Sequence, residues 1–223
     1  MFFIALDFNN FREFKEFVDK VISIHKLFKV GLELFTAEGF KVIEYLKNRE
    51  ATVFLDLKLE DIPNTVSKTI KVLNSFEIDY LTLHISGGKN MLISARESTD
   101  KIKLLGVSVL TSLNQEDLHD IGVSLPLSAI VMKRCFLAKE SNLDGVVIPG
   151  NFIKKVKETL GKKFLVVVPG IRPEFYEEKN DQKFIINPKE ALKQGADFLV
   201  IGRAITKSKD PIWAINKIKE EIY

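Results

Sequence analysis

The sequence predicts an α/β protein, a single (β/α)8 TIM barrel that occupies residues 1–223 as one domain. Three observations carry this expectation. Short β-branched and aromatic runs alternate with amphipathic stretches along the whole chain, as repeated βα units around a parallel sheet require. Eight such units can be counted, and the strand-like runs are apolar on both faces, as buried parallel strands are. Third, the turn after the first run is Asp7-Phe8-Asn9-Asn10, without the glycines that usually open a doubly wound sheet.

The strands are expected at residues 2–6, 28–32, 52–57, 80–85, 102–110, 145–148, 164–168 and 198–201. After the first strand, Phe11, Phe14, Val18, Val21 and Ile22 recur at near-helical spacing, and after the second so do Phe40, Ile43 and Leu46. Asn114-Gln115-Glu116-Asp117 reads as a short helix start. Asn187-Pro188-Lys189-Glu190 offers an N-cap, a proline at the first helical position and an acid at the third, and Asp210-Pro211 repeats the first two elements.

Composition narrows the class further. An apolar share of 46% with 28% charged residues is that of an ordinary globular protein. A net charge of +3, with both signs mixed, does not make a nucleic-acid surface. Cys135 stands alone, which excludes an internal disulfide or CxxC site and fits a reducing compartment. The apolar N-terminus is too short for a signal peptide, and no run reaches the length of a membrane span, so a cytoplasmic protein is expected.

Charge placed inside an expected strand is the main functional signal. Residues two apart on a strand share a face, so Phe54, Asp56 and Lys58 should point to the barrel axis while Val53, Leu55 and Leu57 meet the helices. Asp7 after the first strand, Lys29 in the second and His84 at the fourth add to this polar set at the strand ends, where barrel active sites are built. Buried charges cost several kcal/mol each unless paired, and such pairs seldom improve on apolar packing, so function explains them better than stability. A lysine held between carboxylates keeps its proton and serves as an acid rather than as a Schiff-base nucleophile. Asp61, just before Pro63, could equally cap the next helix, and Glu60 reads as a structural or surface charge.

The other candidates each admit two readings. Gly202-Arg203 after the eighth strand suits a phosphate, although a turn glycine beside a surface arginine has the same sequence. Pro169-Gly170-Ile171-Arg172-Pro173 leads into a polar stretch, 174–183, that is either a lid or a solvated loop. Thr111 and Ser112 could offer hydroxyls to a ligand or shape a turn. His84 before Ser86-Gly87-Gly88 could be structural, and His25 and His119 show no zinc spacing, so no metal site is expected.

Taken in order, Ala5-Leu6-Asp7, Phe28-Lys29-Val30-Gly31, the run from Leu55 to Thr65, His84-Ile85-Ser86-Gly87-Gly88, Leu110-Thr111-Ser112, Pro169-Gly170-Ile171-Arg172-Pro173 and Ile201-Gly202-Arg203 resemble the orotidine 5′-monophosphate decarboxylase family over essentially the whole chain. The resemblance implies a cofactor-independent enzyme that makes uridine 5′-monophosphate, with Lys58 protonating C6 of the pyrimidine and Asp56 beside the departing carboxylate. It implies that Asp7 and Lys29 hold the ribose hydroxyls, that Thr111 contacts the base, and that Ser112 and Pro169 lie at the substrate. By the same resemblance Gln182 bridges phosphate and pyrimidine, Gly202 and Arg203 hold the phosphate, and Arg172 is a second phosphate candidate. Asp61, Ile62 and Thr65 would reach into the neighbouring site of a homodimer. Two alternatives remain: a magnesium-dependent 3-keto sugar-phosphate decarboxylase or related phosphosugar lyase, whose resemblance implies a Glu where this chain has Lys29, and a non-catalytic nucleotide-binding barrel.

Overall fold

In the computed structural model, which describes residues 1–176 and 185–222, the eight expected strands form one closed parallel barrel in chain order, with the first strand paired to the eighth. In sequence the elements are β1 (Phe2–Ala5), α1 (Phe11–Val21), β2 (Leu27–Gly31), α2 (Leu32–Glu38), α3 (Lys41–Lys47), β3 (Thr52–Leu59) and α4 (Pro63–Leu73). There follow β4 (Tyr80–His84), α5 (Lys89–Glu97), β5 (Lys103–Val107), α6 (Gln115–Asp120), α7 (Leu127–Glu140), β6 (Gly145–Val147) and α8 (Ile153–Leu160). The described chain closes with β7 (Leu165–Val168), α9 (Pro188–Lys193), β8 (Phe198–Ile201), α10 (Arg203–Thr206) and α11 (Pro211–Ile222).

Period-two alternation sorts the strand residues into two cores. Phe2 and Ile4 face the helices, with Val53 and Leu55 in the same outer cluster, and Leu57 packs against it. Phe3, Ala5, Phe54, Tyr80, Leu105, Val167, Phe198 and Val200 fill the barrel itself. Phe3 sits at the centre of an aromatic layer, its ring centroid 5.3 Å from Phe54, 5.5 Å from Tyr80 and 5.2 Å from Phe198. Such tilted and edge-on contacts fill the axis with apolar atoms. The next inward-facing positions toward the C-terminal strand ends are Lys29, Asp56 and Thr82, so the polar layer rests on an aromatic floor.

Capping residues fix where the helices begin. Asn187 accepts from the Glu190 N–H at 2.7 Å and Asp210 from the Trp213 N–H at 3.0 Å. Asn114 and Asp117 exchange side-chain and backbone hydrogen bonds in a capping box. Asn10, in the turn after β1, caps α1 through the Glu13 N–H at 2.9 Å, a role its place in that turn makes physically natural. Strand ends depart more from expectation. β5 stops at Val107 rather than 110, because the chain turns there and the Leu113 N–H closes onto the Leu110 carbonyl. β3 instead runs two residues further than 57, through a register shift between Leu55 and Leu59.

Two titratable groups belong to the core. Burial pushes the Cys135 thiol up to about 12, which rules against a thiolate nucleophile at neutral pH. His25 stacks on Phe2 with ring centroids 4.5 Å apart and meets the Leu27 carbonyl through Nε2 at 3.1 Å. Desolvation pulls its imidazole down to about 4. The unfolded chain then binds a proton that the native state refuses, so stability should be complete above the ordinary value of 6.5 and decline as pH falls toward 4. Urea unfolding at pH 7 and pH 4.5 should show roughly 2 kcal/mol of loss from this group. The part of the loss due to His25 should be missing in His25→Phe, and identical pH slopes in the two proteins would refute the assignment.

Candidate active site

Four charged side chains from three adjacent strands alternate in sign at the C-terminal end of the barrel. Asp56 stands in the middle on β3, with Lys58 Nζ 2.9 Å from one carboxylate oxygen and Lys29 Nζ 3.5 Å from the other. Asp7, beyond β1, extends the chain of charges, its carboxylate 3.7 Å from Lys29 Nζ. Burial alone would raise the Asp56 carboxyl, but the ammonium groups of Lys29 and Lys58, with hydrogen bonds from Lys58 and Thr82, hold it below its ordinary value. The carboxylate is therefore charged at neutral pH although its side chain is only 14% exposed.

The backbone at Lys58 is unusual. Its φ of 50° lies in the left-handed region, which a side chain with a Cβ enters at a cost of roughly 1–2 kcal/mol. The strand pairing breaks there: Leu55 faces Leu81 and the ladder resumes only at Leu59 opposite Leu83. Such bulges re-aim side chains beside functional sites. Plain alternation therefore puts Asp56 and Lys58 on the same face, whereas the observed contact is made through a bulge.

A cavity of about 250 Å³ opens above this array. Asp7, Lys29, Asp56, Lys58, Val109, Thr111, Pro169, Tyr176, Gly202 and Arg203 all line it. Alternating charges and a glycine–arginine pair thus share one space fit for a small ligand, with Gly202 next to Asp7 because β8 pairs with β1. The phosphate-binding reading of Gly202-Arg203 gains from this placement, because Arg203 opens α10 directly on the cavity.

Not every expected residue meets the cavity. Ser112 is exposed in the turn after Leu110, and the Arg172 N–H is engaged with the Ile186 carbonyl; neither lines the wall. Asp61, Ile62 and Thr65 are exposed at the start of α4, outside the cavity of their own chain. The Asp61 carboxylate accepts from the Ile62 N–H at 2.6 Å. Gln182 lies outside the described residues. His84 contacts Ser86, and its Nδ1 lies 3.7 Å from Glu60.

Several residues of the site escaped the sequence reading, Tyr176, Thr82 and Gly31 among them. Tyr176 follows the expected Pro169–Pro173 segment and lines the cavity. Thr82 bonds to both Asp56 and the Lys58 backbone; the period-two rule, applied from Tyr80, would have marked it as inward-facing. Gly31 matters for what it lacks: a Cβ there would stand 2.8 Å from Lys29 Nζ. Gly31→Ala should therefore displace the Lys29 ammonium and reduce activity by about tenfold to a hundredfold with little loss of stability. Parallel kcat and melting measurements check this, and unchanged kcat would contradict it.

Comparison with known proteins agrees with this geometry. Residues 1–218 match the model of the family described as orotidine 5′-phosphate decarboxylase / HUMPS. The chain is 46% identical over 196 residues to an orotidine 5′-phosphate decarboxylase of Ehrlichia canis, covering 87% of this chain and 85% of that one. It is 43% identical over 223 residues to one of Buchnera aphidicola, covering 98% and 94%. The crystal structure of orotidine 5′-phosphate decarboxylase from Lactobacillus acidophilus superposes with a TM-score of 0.87 at 34% identity, covering 99% of this chain and 98% of that one. With the family match spanning nearly the full barrel and relatives this similar along it, the chain belongs to the orotidine 5′-phosphate decarboxylase / HUMPS family.

Proposed function

We propose that this protein decarboxylates orotidine 5′-monophosphate to uridine 5′-monophosphate, the carboxy-lyase step of pyrimidine synthesis, without metal or organic cofactor. The observation that carries the proposal is the alternating Lys29–Asp56–Lys58 array in the lining of a cavity that Gly202 and Arg203 also line. Loss of carbon dioxide from C6 leaves an electron pair in an orbital that no neighbouring carbonyl can delocalise. A fixed ammonium aimed at that carbon stabilises the developing charge in a site that need not reorganise.

In this mechanism the C6–carboxylate bond breaks, its electron pair stays on C6, and Lys58 transfers a proton from Nζ to that carbon. Solvent then restores the proton to the amine. Asp56 lies beside the departing carboxylate and fixes Lys58; Asp7 and Lys29 hold the ribose hydroxyls. Thr111 contacts the base and Arg203, with the Gly202 backbone, the phosphate, so that binding far from C6 supports the chemistry there. Gln182 is assigned to bridge phosphate and pyrimidine, Arg172 to the phosphate as a second candidate, and Ser112 and Pro169 to contact with the substrate. Asp61 and Ile62, exposed just before α4, and Thr65, exposed in its first turn, are assigned to the partner's site in a homodimer. Among the described residues no helix is long and apolar enough to cross a membrane, which accords with work in the cytoplasm.

The test is to follow orotidylate absorbance with purified protein in the presence of a strong chelator. Undiminished turnover is expected. A loss in chelator that magnesium restores would favour the phosphosugar-lyase alternative, and substrate binding without turnover would favour a binding barrel. The Lys29 ammonium, 3.5 Å from Asp56, disfavours a divalent cation at that carboxylate, because the two like charges would compete for one anion.

A further inference from the structure

We infer that Thr82 is a positioning residue for the proton donor, its single hydroxyl holding both the Lys58 backbone and the Asp56 carboxylate in register. The Lys58 N–H donates to Thr82 Oγ1 at 2.8 Å, and the Thr82 hydroxyl donates to Asp56 Oδ1 at 2.9 Å. Lys58 Nζ returns to the same Oδ1 at 2.9 Å, which closes a circuit through backbone, hydroxyl, carboxylate and ammonium. The direction of each bond is fixed, because an amide can only donate and an ionised carboxylate can only accept, leaving the hydroxyl to do one of each.

Two further features place the hydroxyl under the chemistry. Thr82 is fully buried, so neither the Lys58 amide nor Asp56 can find water at that position. The bulge also removes ordinary strand pairing between Leu55 and Leu59, so a side chain takes the place of the missing ladder bond at the residue with φ of 50°. Without that bond the left-handed conformation at Lys58 loses its restraint, and the direction of the ammonium changes with it.

The inference rests on the decarboxylase reading for its kinetic test. Thr82→Val keeps shape and removes the hydroxyl; Thr82→Ser keeps the hydroxyl and removes a methyl. In Thr82→Val, kcat for orotidylate should fall about tenfold to a hundredfold with KM within about twofold, since ground-state binding is untouched. Thr82→Ser should recover kcat to within about threefold of wild type. Hydrogen exchange at the Lys58 amide should accelerate in the valine variant and not in the serine one. Should Thr82→Val fail to fold, Thr82→Ala is compared with Thr82→Ser in the same way. Wild-type kcat in the variant without the hydroxyl, or equal impairment in the serine variant, overturns the inference. A wild type that does not turn over orotidylate refutes the functional proposal instead; the exchange measurement then decides the inference, and unchanged protection at Lys58 overturns it.

Discussion

On the proposed mechanism, Lys58→Ala is expected to lower turnover of orotidylate on the order of 10⁴-fold, because the substitution would delete both the assigned proton donor and the fixed positive charge beside C6. The two roles coincide in one ammonium, so no second group supplies half of the effect. Binding should suffer much less, since Arg203 and Gly202, which line the same cavity, are left in place. The fold should persist as well, because the Lys58 head is 31% exposed and Asp56 keeps Lys29 and Thr82 as partners. Single-turnover kinetics with enzyme in excess, alongside uridylate binding, separate these effects. A variant within tenfold of wild-type kcat would rule out Lys58 as the donor.

Asp56→Ala is expected to be the most destabilising single change in the site. It leaves two ammonium groups facing each other where one carboxylate separated them, and the Lys29 side chain is only 11% exposed. Removing one partner of such a buried network costs about 3–5 kcal/mol, much of it the penalty on the charges left behind. Asp7 at 3.7 Å offers Lys29 partial relief, which places the expectation near the lower bound. The pH dependence has a defined sign. Asp56 is held below its ordinary value of 3.8, so its contribution is complete above that value and disappears as pH falls through the depressed native one. Urea titrations should therefore show a gap between wild type and variant that is constant near neutrality and closes in strong acid. A double variant, Lys29→Met with Asp56→Ala, should regain part of the loss; a constant gap at all pH values, or no regain, would contradict the account.

The barrel and most of its charged site were legible in the sequence for physical reasons that can be named. Strands apolar on both faces, separated by amphipathic stretches, leave few parallel architectures, and eight of them closed as expected. Asp56 and Lys58 stood out because charges inside a buried strand need an explanation. Thr82 did not, since threonine is an ordinary strand residue and its hydroxyl draws no attention among Tyr80, Leu81, Leu83 and His84. The bulge at Lys58 was equally hidden: no glycine or proline marks it, and the hydrogen bond that holds it comes from a residue 24 positions away. Gly31 reads as a strand-end glycine until Lys29 is seen folded over its α-carbon. Asp61, Ile62 and Thr65, which the resemblance assigns to a neighbouring subunit, lie exposed outside the cavity of their own chain.

The aromatic layer formed by Phe3, Phe54, Tyr80 and Phe198 fills the barrel axis beneath the charged array, toward the N-terminal strand ends. In the proposed reaction, carbon dioxide and nucleotide would then leave on the side away from that layer, and the proton given up by Lys58 would be replaced from the same side. In heavy water the product should accordingly carry deuterium at C6, delivered from a Lys58 ammonium already exchanged with solvent. Alterations at the opposite pole, such as the Lys157–Asp197 contact at the far ends of β7 and β8, should leave that labelling pattern unchanged.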